Sequence, residues 1–266
     1  GLEEGVDFIE EPLPPAKHRV AHPKNPVDAR FAAVRSLWID ALQARSLPLA
    51  RRLTLLGLLA QQLQGLDWSD EAAVDRWLAS SEGVVQDPGA LSEQLGRTQR
   101  NRQMFLSNNL QLLIKQFNTL GPDLPGELLS AVTGKASLSE VDTQRVTIAA
   151  GRYQELEDKL EELMGHSEHF FENILVAISF FLAFPALSSP EELWKSYVNL
   201  CNLYGFYRFA AVCAMDREPS RERLFHVLVH VSRSLIHNPT QRARLRDEMF
   251  QNDSATLAHM AILAGG

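Results

Sequence analysis

The chain has 266 residues, of which 45% are hydrophobic, and a formal net charge of −7. Length and apolar content suffice for one large core or two modest ones. The acidic balance, with an isoelectric point near 5.6, excludes a nucleic-acid partner met by bulk electrostatics, because a phosphate backbone needs a basic face. The most apolar stretch, residues 174–187, is too short to span a bilayer, and residues 197–215 are interrupted by Asn199, Asn202 and Arg208. No membrane partner is expected.

Residues 1–26 hold Pro12, Pro14, Pro15, Pro23 and Pro26 among charges and read as an extended lead-in or linker. Gly1-Leu2-Glu3-Glu4-Gly5 has no signal-peptide pattern and no initiator Met, so the chain is expected to be a fragment of a longer protein. A helical period then places Phe31, Val34, Trp38 and Leu42 on one face, and Leu49, Leu53, Leu56, Ala60 and Leu63 on another. Two antiparallel helices joined near Ser46-Leu47-Pro48 follow from this. Ser69, ahead of Asp70-Glu71, is the expected N-cap of a short helix carrying Val74, Trp77 and Leu78, and residues 82–89 read as a loop. A long helix is expected over 91–120, basic at Arg97, Arg100 and Arg102; these, with Arg30, Arg35, Arg51 and Arg52, either meet an acidic partner or are scattered surface charges.

Residues 121–138 are rich in Pro and Gly and form the expected boundary between an N-terminal helical subdomain, 27–120, and a C-terminal one, 139–266. Ser139-Glu140-Val141-Asp142 resembles a capping box for a helix ending near Met164, whose acidic run 155–162 reads as a solvated face. A helix over 166–183 follows. Ser189-Pro190-Glu191-Glu192 then opens a helix expected to reach Met215, and residues 220–237 carry Leu224, Val227, Leu228, Val231 and Leu235 on one stripe. Asn238 caps a short helix and Asp253-Ser254 the last one. The expected fold is all-α, an irregular bundle of roughly 9–11 helices.

Cys201 and Cys213 lie on one expected helix, separated by about 18 Å at 1.5 Å per residue, too far for a disulfide. Two thiols fall short of the four ligands of a structural zinc or iron–sulfur site. A reducing, cytoplasmic setting is the simplest reading. Glycine-rich phosphate loops, G-x-S-x-G and H-E-x-x-H are missing from the sequence.

Three groups of residues have chemical potential. His226, His230 and His237 share one side of a helix, as metal ligands must, but no further ligand has matching spacing, and exposed histidines beside core positions are common. The segment 197–209 is aromatic and also carries Arg208; its tyrosines fill the core with Arg208 paired to a carboxylate at the edge, or they line a slot for a cation. Asn173, read as buried, either ties helices together or touches a ligand.

Three blocks resemble the C-terminal region of the flagellin lysine-N-methylase family. They are Phe171-Glu172-Asn173-Ile174-Leu175-Val176 leading to Phe184-Pro185, the tyrosine-rich segment, and residues 225–266, with Ser232-Arg233-Ser234-Leu235-Ile236-His237-Asn238-Pro239 and Leu257-Ala258-His259-Met260-Ala261-Ile262-Leu263. The likeness covers 166–266 and, more loosely, 31–63. Ile174 and Ala177 depart from the family's usual aromatic and Asn.

The resemblance implies an S-adenosylmethionine-dependent protein-lysine N-methyltransferase acting on flagellin. It also implies an N-terminal cysteine-rich segment binding an iron–sulfur cluster, which this sequence lacks. The chain is therefore expected to be the helical scaffold or substrate-recognition part of a bacterial enzyme, inactive alone. If it contributes to the site, Asn173, Tyr204, Tyr207 and Arg208 are the expected wall for substrate or cofactor. A non-enzymatic helical adaptor or secretion-associated binding module is the alternative, and a metal-dependent enzyme built on His226 and His230 a third.

Overall fold

The computed structural model describes residues 26–89, 143–165, 167–216 and 219–264. Among these residues there are ten helices and no strand: α1 (Pro26–Ala29), α2 (Phe31–Leu42), α3 (Leu49–Gln64), α4 (Glu71–Gln86), α5 (Thr143–Met164), α6 (Ser167–Phe181), α7 (Pro190–Cys213), α8 (Arg221–Leu235), α9 (Pro239–Gln251) and α10 (Leu257–Leu263). The fold is all-α. The expected boundary at 121–138, the helix over 91–120 and its arginines lie outside the described residues.

Helix α7 is the axis of the fold. It packs against α3, α5, α6, α8, α9 and α10, which requires apolar side chains all round rather than a single stripe. Tyr197, Phe206 and Phe209 are fully buried, as are Leu200, Ala211 and Val212. Ser189 starts α7 by accepting from the Glu192 amide at 3.2 Å, with Pro190 in the first helical turn. Around this axis α2 and α3 form an antiparallel pair, α4 packs on α2, and α10 closes over α3. One continuous core runs from Val27 to Ala264, so the described parts of 27–120 and 139–266 share it.

Helix ends follow local chemistry. Gly165 has φ +75° where α5 stops, and its amide donates back to Glu161 O, the left-handed turn that glycine adopts at no steric cost. Asn238 caps α9 as expected, accepting from Gln241 N, and Ser220 caps α8, accepting from Arg223 N.

Several expectations need correction. Helix α4 runs to Gln86, through the segment read as a loop, because Val74, Ser81 and Val85 lie buried on one stripe against α2 and outweigh Gly83. Pro88 then forces Asp87 out of the helix. Asp70, not Ser69, caps α4, accepting from Ala73 N at 3.0 Å, while Ser69 bonds the Asp67 carboxylate. The cap of α10 is Thr256 rather than Asp253-Ser254, since Asp253, at φ +52°, belongs to the turn ending α9. Arg52 and Glu157, expected at the surface, are both buried, whereas Asn173, expected to be buried, is exposed.

Candidate functional site

The tyrosine-rich helix places Tyr204, Tyr207 and Arg208 within about one turn of α7, and each is already engaged by a neighbour. Tyr204 meets Phe171 of α6 edge-on, with ring centroids 5.8 Å apart. Tyr207 shares a 2.6 Å hydrogen bond with Ser232 of α8. The Arg208 guanidinium, a quarter exposed, pairs with Glu157 of α5 and donates to Ala264 O at 3.0 Å, just past α10. Arg208 thus finds the edge carboxylate expected of it. Tyr153 stacks on Phe209 at 5.9 Å beside this pair.

Protonation fixes what these groups can do. Burial pushes the Tyr204, Tyr207 and Tyr153 phenols up from their ordinary value, so at neutral pH all three are neutral. For Arg208 burial works against the cation, but Tyr204, Tyr153 and Glu157 outweigh it and raise the guanidinium further. The layer therefore offers hydrogen-bond donors and one fixed cation. None of its tyrosines is poised as a base to take a proton from a lysine ammonium.

Asn173 stands apart from this layer, exposed on the outer side of α6. Its neighbour Glu172 points inward, with a fully buried side chain, and is the site that sequence reasoning missed. Glu172 Oε2 accepts from Arg52 Nη1 at 2.6 Å, and Oε1 accepts from Arg45 Nη2 at 2.7 Å. Arg52, only 2% exposed, also donates to Leu42 O and Leu47 O, each at 2.7 Å. It thereby satisfies a carbonyl left open where α2 ends. Glu168 adds a carboxylate at the start of α3, accepting from Leu49 N at 3.3 Å and lying 3.6 Å from Arg52. Burial raises the Glu172 pKa, but hydrogen bonds from Arg45 and Arg52 outweigh it and lower the value below the ordinary carboxylate range. The available signal was an acid inside the apolar α6 stripe, between Phe171 and Leu175.

The remaining candidates bind no obvious group. Cys201 and Cys213 are both buried on α7; burial pushes the Cys201 thiol up to about 12 and Cys213 well above its usual value. Neutral thiols on one helix, without companions, do not fit an iron–sulfur cluster. His226, His230 and His237 are exposed, and no set of three metal-ligating side chains comes together among the described residues. The cleft between α2, α3 and α4, lined by Trp38, Leu59, Leu63 and Trp77, encloses only about 10 Å³, the space of a single water. The α7 layer does not fit S-adenosylmethionine either, because the Tyr207 hydroxyl and the Arg208 guanidinium are committed to protein partners. No helix among the described residues is long and apolar enough to cross a membrane.

Comparison with protein families decides what this body is. The FliB lysine N-methylase C-terminal domain matches residues 35–263, from within α2 to the last residue of α10. The chain belongs to that family. The FliB C-terminal domain therefore includes the α7 layer, the buried Glu172 cluster and Asn173, and extends the expected resemblance at 166–266 across nearly the whole chain. No curated protein and no solved structure matches the chain.

Proposed function

We propose that this chain is the helical scaffold and substrate-recognition part of a bacterial, cytoplasmic, S-adenosylmethionine-dependent flagellin lysine N-methyltransferase. The family match over residues 35–263 carries this reading. The four wall residues divide by exposure. Asn173 is the one free to touch a polypeptide substrate, whereas Tyr204, Tyr207 and Arg208 act as positioning residues that hold α5, α6, α8 and α10 in register around α7.

Methyl transfer forms a carbon–nitrogen bond, breaks a carbon–sulfur bond and requires the lysine ammonium to lose its proton first. A free lysine near pKa 10.4 needs desolvation or a base for that loss. The neutral phenols and fixed cation of the α7 layer supply no such base, and the cysteines of α7 supply no cluster. The proposal therefore places S-adenosylmethionine, and any iron–sulfur cluster, on parts of the methylase outside the described residues.

Flagellin methylation by the intact methylase, followed by mass spectrometry of lysine-containing peptides, tests the reading. Asn173→Ala is expected to raise KM for flagellin with little change in kcat. Tyr207→Phe is expected to lower activity together with melting temperature, since it unties α7 from α8. Full activity in Asn173→Ala, Tyr204→Phe and Tyr207→Phe, each at unchanged melting temperature, would sink the recognition role. Flagellin bound but never methylated would instead support the adaptor.

A further inference from the structure

Helices α6 and α8 lie side by side over α7 and run in the same direction. Phe170 meets Phe225 edge-on at 5.8 Å, and further along, Phe181 meets His237, just past the end of α8, at 5.6 Å. Beneath them Tyr204 against Phe171 and Tyr207 against Ser232 form the floor. Of the six large hydrophobic side chains that stand exposed among the described residues, four lie on these two helices: Phe180, Phe181, Phe225 and Val229, each about half exposed. Exposed apolar side chains gathered in this way mark an interaction surface. From Phe170 to Phe181 the strip spans about 16 Å, three turns of an apposed helix.

The charge around the strip points to its occupant. Although the chain carries −7 overall, α8 presents Arg221, His226, His230 and Arg233 to solvent, with Glu222 as its one acid. On the α6 side Arg35 lies over the Phe180 ring at 4.6 Å and donates to Phe180 O at 3.3 Å. A two-fold pairing of this face with its own copy would bring cations against cations. Phe170 and Phe225 also touch edge-on across the seam of these parallel helices, so an occupant lies along the strip rather than between the two helices.

We propose that the outer face of α6 and α8 binds an amphipathic helix of a partner protein, one whose apolar stripe is flanked by acidic residues. Its stripe lies over Phe170, Phe181, Phe225 and Val229, and its acids meet Arg35, Arg221 and Arg233, as an amphipathic helix lays its apolar face on an apolar surface. The proposal rests on this surface and requires no methyl transfer.

Fluorescence anisotropy with a labelled helical peptide of about five turns, ~18 residues, tests it on the 266-residue chain. The peptide carries Leu at i, i+4, i+7 and i+11 between Glu flanks; the control has Lys flanks. The Glu peptide is expected to bind about tenfold tighter, with the preference weakened by salt. Phe181→Ser with Phe225→Ser should cost about tenfold or more at unchanged melting temperature. The double reversal Arg221→Glu, Arg233→Glu should turn the preference toward the Lys peptide. Equal binding of both peptides, binding of neither, indifference to the Phe substitutions, or binding only to phosphatidylglycerol vesicles would each overturn it. None of these readouts involves methylation, so this proposal and the methylase reading fail separately.

Discussion

The buried Glu172–Arg52 pair is the sharpest test at the level of single residues. Removing one partner strands the other charge in the core, so Arg52→Met or Glu172→Gln is expected to lower unfolding free energy by about 3–5 kcal/mol in urea titrations. The double change Arg52→Met, Glu172→Leu should recover much of that loss, because a well-packed apolar pair often replaces a buried ion pair at little cost. The same carboxylate gives a pH signature. Its folded pKa is lowered, so its contribution is complete above the unfolded value, about 4.3, and is lost as pH falls through the folded one. Wild-type stability should therefore decline in acid more steeply than that of Glu172→Gln. Asn202 makes the opposite case: both amide atoms are buried on α7 without a partner, so Asn202→Leu is expected to stabilise the fold by about 1–3 kcal/mol. At this scale the sequence was only partly legible. The Arg208 pairing with an acid was anticipated, yet Glu157, Arg52 and Glu172 were not, because burial of a charge depends on which helices meet over it. Asn173 was misplaced by one helical position: the inward residue of that pair is its neighbour Glu172.

Elements were far more legible. Caps at Ser189, Ser220 and Asn238 act through a side chain accepting an amide three residues on, a relation that the sequence itself displays. Ser189→Ala is accordingly expected to cost about 1 kcal/mol. The end of α4 escaped because Val85 earns its place in the helix only through packing against α2, which local pattern does not reveal. Gly57 belongs to the same class. A Cβ there would collide with Tyr197 of α7 and with Leu257 of α10, so α3 approaches the axis only because this position is bare. Gly57→Ala is expected to destabilise by about 1–3 kcal/mol by forcing α3 outward, measured by thermal unfolding; a neutral result would mean that Tyr197 repacks freely.

For the molecule as a whole, α7 explains why the periodicity of the other helices was easier to read than its own. A helix surrounded by six others has no polar face and no stripe, so its centrality emerges only from assembly. Tyr207 and Arg208 are spent on holding neighbours, which is why a segment rich in tyrosine and carrying an arginine is a joint rather than a pocket. In the function proposed above, this FliB C-terminal body recognises protein, and the α7 layer leaves the methyl donor to other parts of the methylase. Isothermal titration of the 266-residue chain with S-adenosylmethionine addresses it most directly. No saturable heat, or heat indifferent to Tyr204→Phe and Arg208→Lys, is expected; one-site binding in the micromolar range, weakened by either change at unchanged melting temperature, would contradict this proposal.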